Sequence, residues 1–362
     1  MPPSAYSSLG VSKKSTVSLF PALNSNVHNQ HFLLLCLQWL KSYYFSIGTM
    51  VQTSQVIISI SIVLNIILAS VLYYMIINED SPNPEILFFE RDEEDKMQFD
   101  RNDTVRLATF NIRTFGVTKM GKSEVVNELV EIFDRYDMVT VQEIKDINQE
   151  VPYRFLDELK NGSSEEWEML LSERSGQQED DMGGQEQYAV YYRDSVVIPS
   201  NNSRLHNDTV LDEFYREPFM TEFTVLTKSG EVSNLTFLMI SIHTSPQVAV
   251  EELHSLSNLT MEFPESEKLV ILGDFNADCN YASLNELDAL SFRNSNFTWI
   301  VPDDADTTFS STRCAYDRII LDEQISSYYT GWWGIDRQMS SSNVSDHFPV
   351  WVDFIRPLNP LN

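Results

Sequence analysis

LVILGDFN, residues 269–276, is a short apolar run that ends, one glycine on, in Asp274 and Asn276. Runs of this length, rich in β-branched residues and bounded by turn formers, are strand signals. The same pattern recurs on both sides of it. LATF (107–110) runs into Asn111, MVTV (138–141) reaches Glu143, and FLMISI (237–242) runs into His243. YAVYY (188–192) and PVWVDF (349–354) are further runs of strand length. Residues 122–136 and 247–259 carry helical periodicity, with Val126, Leu129, Val130 and Phe133 on one face of the first. Such unbroken apolar runs suit strands covered on both faces. The expected fold is therefore α/β, with sheets packed together and helices outside.

A polar residue at one strand end is an ordinary cap or turn. Four runs ending alike are harder to dismiss, because neighbouring strand ends deliver their side chains to one edge of a sheet, where a cleft forms. Asn, Asp and Glu are hard oxygen donors suited to magnesium, manganese or calcium, and zinc would call for more His or Cys at short spacing. CAYDRII (314–320) adds Asp317, and SDHFPVWVDF (345–354) adds Asp346 and His347. With His243 this gives two imidazoles for proton transfer. Taken this far, the residues point to a metal-dependent phosphoesterase.

Composition fits a folded chain, with 43% hydrophobic and 12% aromatic residues. A formal net charge of -28 excludes a protein that stores or coats nucleic acid by bulk electrostatics, but permits a local cationic site. No internal repeat is visible. Residues 56–77, VIISISIVLNIILASVLYYMII, are uncharged and long enough to span a bilayer. Lys13, Lys14 and Lys41 precede them, and Glu79, Asp80 and FFERDEEDK follow, which places the C-terminal part outside the cytosol. Asn102, Asn161, Asn201, Asn207, Asn234, Asn258, Asn296 and Asn343 each open an Asn-x-Ser/Thr triplet, all beyond that segment.

The expected organisation is an extension (1–49), an anchor or cleaved signal (56–77), an acidic linker (78–103) and a catalytic domain (104–355). Met50 is an alternative start that would make the extension a mispredicted one. The chain is expected to be secreted, luminal or extracellular, including the form of a type II membrane protein. Two of its three cysteines, Cys36, Cys279 and Cys314, are able to pair in such a compartment.

LATFNIRTFG (107–116), VTVQEIKD (139–146), REPF (216–219), SIHTSP (241–246), GDFNADC (273–279), DADTTFSSTRCAYDRI (304–319) and SDHFPV (345–350) together resemble the deoxyribonuclease I family of the endonuclease, exonuclease and phosphatase superfamily. The resemblance runs over residues 104–355 with the motifs in order. GDFN and SDH mark the superfamily, and NIRTFG with DADTT and CAYDR mark the branch. It implies a four-layered α/β sandwich of two packed, mainly antiparallel sheets flanked by helices. It also implies hydrolysis of DNA to products with 5′-phosphates, dependent on Mg2+ or Mn2+ and helped by Ca2+.

Residue by residue, the resemblance makes Asn111, Glu143, Asp274, Asn276 and Asp346 the metal and phosphate positions. It pairs His243 with Glu186 and His347 with Asp317 as acid and base, in an order left open. Arg113, Arg216 and Lys145 match residues that face DNA, with a salt-bridge role as the alternative for Arg216. Asp306, Thr308, Ser310 and Thr312 match a structural calcium loop, whose other reading is a plain polar turn, and Cys279 matches the disulfide partner of Cys314.

Several positions depart from the family. Gly184 stands where a minor-groove tyrosine is expected, inside the acidic insertion QQEDDMGG (177–184), and Lys145 replaces an arginine. A small disulfide loop before REPF has no counterpart. Weaker grip on duplex DNA is the expected consequence. Phe219 replaces a small residue near the surface where some members bind actin, so inhibition by actin is not implied. The chain is expected to be a monomer. Two other readings stand beside this one: a phosphodiesterase of the superfamily acting on lipid or small-molecule phosphoesters, and a non-catalytic tethered binding module.

Overall fold

The computed structural model describes residues 100–176, 183–293 and 296–361. The extension, the apolar segment 56–77, Cys36 and most of the acidic linker lie outside the described residues. Among those described, no helix is long and apolar enough to cross a membrane.

In chain order the elements are β1 (Thr104–Phe115), α1 (Val117–Met120), α2 (Ser123–Phe133), β2 (Met138–Ile144), α3 (Val151–Gly162), β3 (Trp167–Leu171), β4 (Gln187–Arg193), β5 (Val197–Pro199), β6 (Arg204–Leu205), β7 (Phe219–Leu226), β8 (Val232–His243), α4 (Ala249–Thr260), β9 (Leu269–Asp274), α5 (Leu284–Asp288), β10 (Phe297–Trp299), β11 (Asp317–Asp322), α6 (Glu323–Ser326), β12 (Tyr329–Ile335) and β13 (Val350–Ile355). One sheet has the order β12-β13-β1-β2-β4-β3 and the other β10-β11-β9-β8-β7-β5, with β6 on β7. Pairing is antiparallel except for β1 with β2 and β8 with β9.

Alternation along each strand makes three apolar layers. In β1, Val105 and Leu107 face the second sheet and meet Phe237, Leu272 and Ile319 there. Ala108, Phe110 and Ile112 face outward, under Leu129 and Phe133 of α2 and Phe155 of α3. Ile240 and Ile271 face out on the other side, under Leu253 and Leu256 of α4. Helix, sheet, sheet and helix give the expected four-layered sandwich. On α2 the buried stripe is Val125, Val126, Leu129, Ile132 and Phe133, with Val130 only half-buried, so the covered face is rotated toward Val125 and Ile132 from the expected one.

Candidate active site

Strand direction assembles the site. The parallel pairs bring C-terminal ends together: Asn111 and Glu143 sit near the ends of β1 and β2, and His243 is in register with Asp274 at the ends of β8 and β9. Antiparallel neighbours bring their N-terminal ends to the same edge. Asp317 opens β11 opposite Asp274, Glu186 immediately precedes β4, and Asp346 and His347 precede β13. Gly273 (φ 144°) makes the His243–Asp274 approach possible, since a Cβ there would lie 1.9 Å from the Ile242 carbonyl oxygen. Glu143 (φ 62°) and Asn276 (φ 47°) occupy the left-handed region, and strain of this kind gathers at functional sites.

His243 Nδ1 lies 2.8 Å from Glu186 Oε2. Arg216 Nε and Lys145 Nζ approach the same carboxylate, at 3.6 and 3.1 Å. Burial alone would raise Glu186, but His243 first, then Arg216 and Lys145, outweigh it and hold the carboxyl well below the usual range. The His243 backbone is fixed too: its N–H donates to Tyr188 Oη at 3.0 Å and its carbonyl accepts from Arg216 Nε at 3.0 Å.

His347 forms the second pair, with Nδ1 2.8 Å from Asp317 Oδ2. Burial opposes its charge, yet Asp317, Asp274 and Asp346 push the imidazole up to about 10. Burial in turn raises Asp317. The two Nε2 atoms converge on one oxygen: each lies 3.6 Å from Asp274 Oδ2, which also accepts from Asn111 Nδ2 at 2.9 Å. Burial would raise Asp274, but the two imidazoles, the Asn111 amide and the Asn276 N–H lower it.

The oxygen donors stand beside these pairs. Asn111 Nδ2 also donates to Glu143 Oε1 at 3.1 Å, while Asn111 Oδ1 is buried with no hydrogen-bond partner. Asp346 Oδ1 is likewise unpartnered, and its other oxygen lies 3.3 Å from exposed Arg113. Buried acceptors without donors, next to carboxylates and with no sulfur, fit a hard divalent cation. Asn276 is present, although its amide donates to the Thr244 carbonyl oxygen at 3.1 Å.

The 306–312 loop brings several side-chain and carbonyl oxygens together. Thr308 Oγ1 lies 3.0 Å from Asp306 Oδ1 and 2.6 Å from the Thr312 carbonyl oxygen, and Ser310 Oγ lies 3.0 Å from that carbonyl. Next to it Thr307 Oγ1 accepts from the Asp317 N–H at 3.1 Å, and Phe348 N donates to the Thr307 carbonyl at 2.8 Å. The loop thus buttresses the His347–Asp317 pair from both sides. Cys279 and Cys314 are bonded, with Cα atoms 5.9 Å apart.

One expectation is corrected. Arg216 does not face outward: it is 6% exposed, and its Nε and NH2 donate to the His243 and Thr244 carbonyls, so the salt-bridge alternative holds. Phe219 is a core residue, buried at the start of β7 and stacked with Tyr188. Lys145 remains part-exposed. The sequence did not single out Tyr188 or Lys119. Lys119 Nζ donates to the carbonyls of Arg113 and Val344, both at 2.6 Å, and burial lowers it to about 8. Tyr188 was hidden in an apolar run, and Lys119 carries no local mark beyond its charge. A cavity of about 660 Å³ at the opposite strand ends, around Arg101, Arg106 and Arg193, holds no imidazole, and these arginines pair with Asp137, Asp353 and Asp134. Both imidazole–carboxylate pairs lie at the other edge.

A two-sheet sandwich with two imidazole–carboxylate pairs and oxygen donors along one edge defines a hydrolase of the phosphoester class. Residues 108–347 match the Endonuclease/Exonuclease/phosphatase family. Deoxyribonuclease-1 of Rattus norvegicus is 33% identical over 269 residues, covering 69% of this chain and 91% of the relative. Deoxyribonuclease-1 of Bos taurus is 32% identical over 267 residues, and that of Homo sapiens 31% over 271, each covering 69% of this chain and 92% of the relative. The chain belongs to the Endonuclease/Exonuclease/phosphatase family, as a deoxyribonuclease I-like member.

Proposed function

We propose that the protein is a divalent-metal-dependent endonuclease that hydrolyses DNA phosphodiester bonds, leaving a 5′-phosphate and a 3′-hydroxyl. The observation that carries the reading is the convergence of both Nε2 atoms on Asp274 Oδ2. This leaves two proton-transfer groups on either side of one position where a phosphate is able to sit. That its relatives are deoxyribonucleases supports DNA as the substrate.

His347, held protonated at neutral pH by three carboxylates, is the donor; His243, held by Glu186 through Nδ1, is the acceptor. Water attacks phosphorus and gives its proton to His243 Nε2. The P–O3′ bond breaks, and the 3′-oxygen takes the proton of His347 Nε2. Asn111, Glu143 and Asp346 would hold Mg2+ or Mn2+, with Asp274 and Asn276 beside them. A bound divalent ion supplies charge stabilisation for the crowded phosphorane-like transition state. Arg113 and Lys145 are the residues that meet DNA phosphates. The 306–312 loop is the calcium loop, through Asp306, Thr308, Ser310 and Thr312. Residues 104–355 act outside the cytosol, tethered by 56–77 or released from it. All eight sequon asparagines being exposed supports that placement.

Supercoiled plasmid incubated with the purified full chain, with Mg2+ and Ca2+ or with chelator, tests the reading. Nicking only with metal is expected; no nicking with metal refutes it. His243→Ala and His347→Ala should each cost about a hundredfold or more in rate. The withdrawal of Arg216 from the surface favours one second reading, a smaller phosphoester as substrate. Cleavage of lipid or small-molecule phosphodiesters with intact plasmid would establish that instead.

A further inference from the structure

Glu252 lies on α4, behind the catalytic edge, and is 1% exposed. A carboxylate at that depth needs donors for its oxygens. It finds them in two different loops. Oε1 accepts the Tyr215 N–H at 2.8 Å and Oε2 accepts the Ser245 N–H at 2.5 Å. Tyr215 immediately precedes Arg216, and Ser245 follows His243 by two positions.

Each neighbouring backbone group in the 243–245 stretch is held in turn. The His243 N–H goes to Tyr188 Oη, the His243 and Thr244 carbonyls accept from Arg216, and the Thr244 N–H donates to the Asp274 carbonyl at 3.1 Å. Glu252 holds the Ser245 N–H of this stretch and also the N–H of the residue before Arg216. The guanidinium, whose Nε lies 3.6 Å from Glu186, thus follows directly on a residue whose N–H Glu252 holds. Shifting either loop would move the Arg216 contacts, and with them the carboxylate that orients the imidazole.

We infer that Glu252 is a positioning residue for His243, tying the Tyr215 and Ser245 amides together so that Arg216 and Glu186 hold the imidazole in its working orientation. This rests on the reading of His243 as the proton acceptor. Glu252 touches no reacting atom, so its contribution belongs to the rate of the chemical step and not to the grip on DNA. Nothing at the surface marks it, because both its bonds are to backbone.

The test is Glu252→Gln in the full chain. Glutamine keeps one acceptor and turns an NH2 group toward the other amide, so one strap is lost. Plasmid nicking should show kcat lowered roughly ten- to a hundredfold with KM little changed, as for a small misplacement of a catalytic group. The limb of the pH–rate profile that reports the acceptor should move. Glu252→Asp, which keeps the charge with shorter reach, should recover part of the rate. In a His243→Ala background Glu252→Gln should cost nothing further, since the group it positions is gone.

A parent rate with a parent pH profile, or a full additional loss in the His243→Ala background, overturns the inference. A lowered melting temperature with unchanged kcat per folded molecule overturns it as well. Should Glu252→Gln fail to fold, Glu252→Asp carries the same comparison. The Nδ1–H proton resonance of His243 gives a readout without turnover: it should shift in the variant, and an unmoved resonance counts against positioning. A parent protein that nicks no DNA would refute the proposed activity and leave that resonance to decide the role of Glu252.

Discussion

His347 faces three carboxylates, Asp317, Asp274 and Asp346, and its imidazole rises from the ordinary 6.5 to about 10 despite burial. A group raised on folding contributes stability that is fully present below its unfolded value and lost as pH climbs through the folded one. Stability from this pair should therefore fall between about pH 6.5 and 10. Urea unfolding of the parent and of His347→Gln across that range should show the two curves approaching each other. A gap that stays constant or widens would mean the imidazolium is not what the carboxylates hold. Legibility in the sequence differed sharply among such residues. His347 was visible from Asp346 beside it and the strand after it. Glu186 was visible only through the resemblance, because no strand run leads into it. The burial of Arg216 was not visible at all: it depends on carbonyls of residues 243 and 244, on a different strand end, and a lone arginine in REPF looks the same in either role.

Strands were the most readable elements. Apart from Pro349, which precedes β13, all six apolar runs lie in strands, since β-branched residues packed on both faces leave little choice. What stayed hidden was direction. Nothing local says that β1 runs parallel to β2 or β8 to β9, yet those two pairings put Asn111, Glu143, His243 and Asp274 on one edge. Seven strands also escaped notice: β5, β6 and β10 are three residues long or shorter, and β3, β7, β11 and β12 carry charged, glycine or polar residues that break the apolar run. The loop between Asp306 and Cys314 shows how an irregular segment serves the site, since Thr307 holds the Asp317 amide and Phe348 bonds back to Thr307. The Cys279–Cys314 bridge, closing 35 residues, anchors the end of that loop. Its removal in Cys279→Ser should cost about 4 kcal/mol by loop-closure entropy. Denaturant melts measure that directly. Activity should fall along with protection of the loop from protease, and restored calcium should recover part of both. Full protease protection in the reduced protein without calcium would show that neither device steadies the loop.

At the scale of the molecule, charge and substrate pull against each other. The chain carries a net charge of -28, and of the residues proposed to face DNA, Arg113 has a side chain 57% exposed and Lys145 one 32% exposed, against 8% for Arg216. Each phosphate neutralised by a cation contributes about 0.9 to the fall of log affinity with log salt. Two such contacts predict a slope no steeper than roughly -2, or about tenfold between 50 and 200 mM salt. The remaining acidic surface works the other way, because added salt screens its repulsion of DNA and speeds encounter. The net dependence of kcat/KM on NaCl, at fixed Mg2+ and Ca2+, should accordingly be shallow and flatten further at low salt. Removing one cation with Arg113→Met should lower the slope by about one. A dependence several times steeper, unchanged by Arg113→Met, would mean that DNA is gripped by a cationic surface other than the catalytic edge, and the weak-grip account of this site would have to be abandoned.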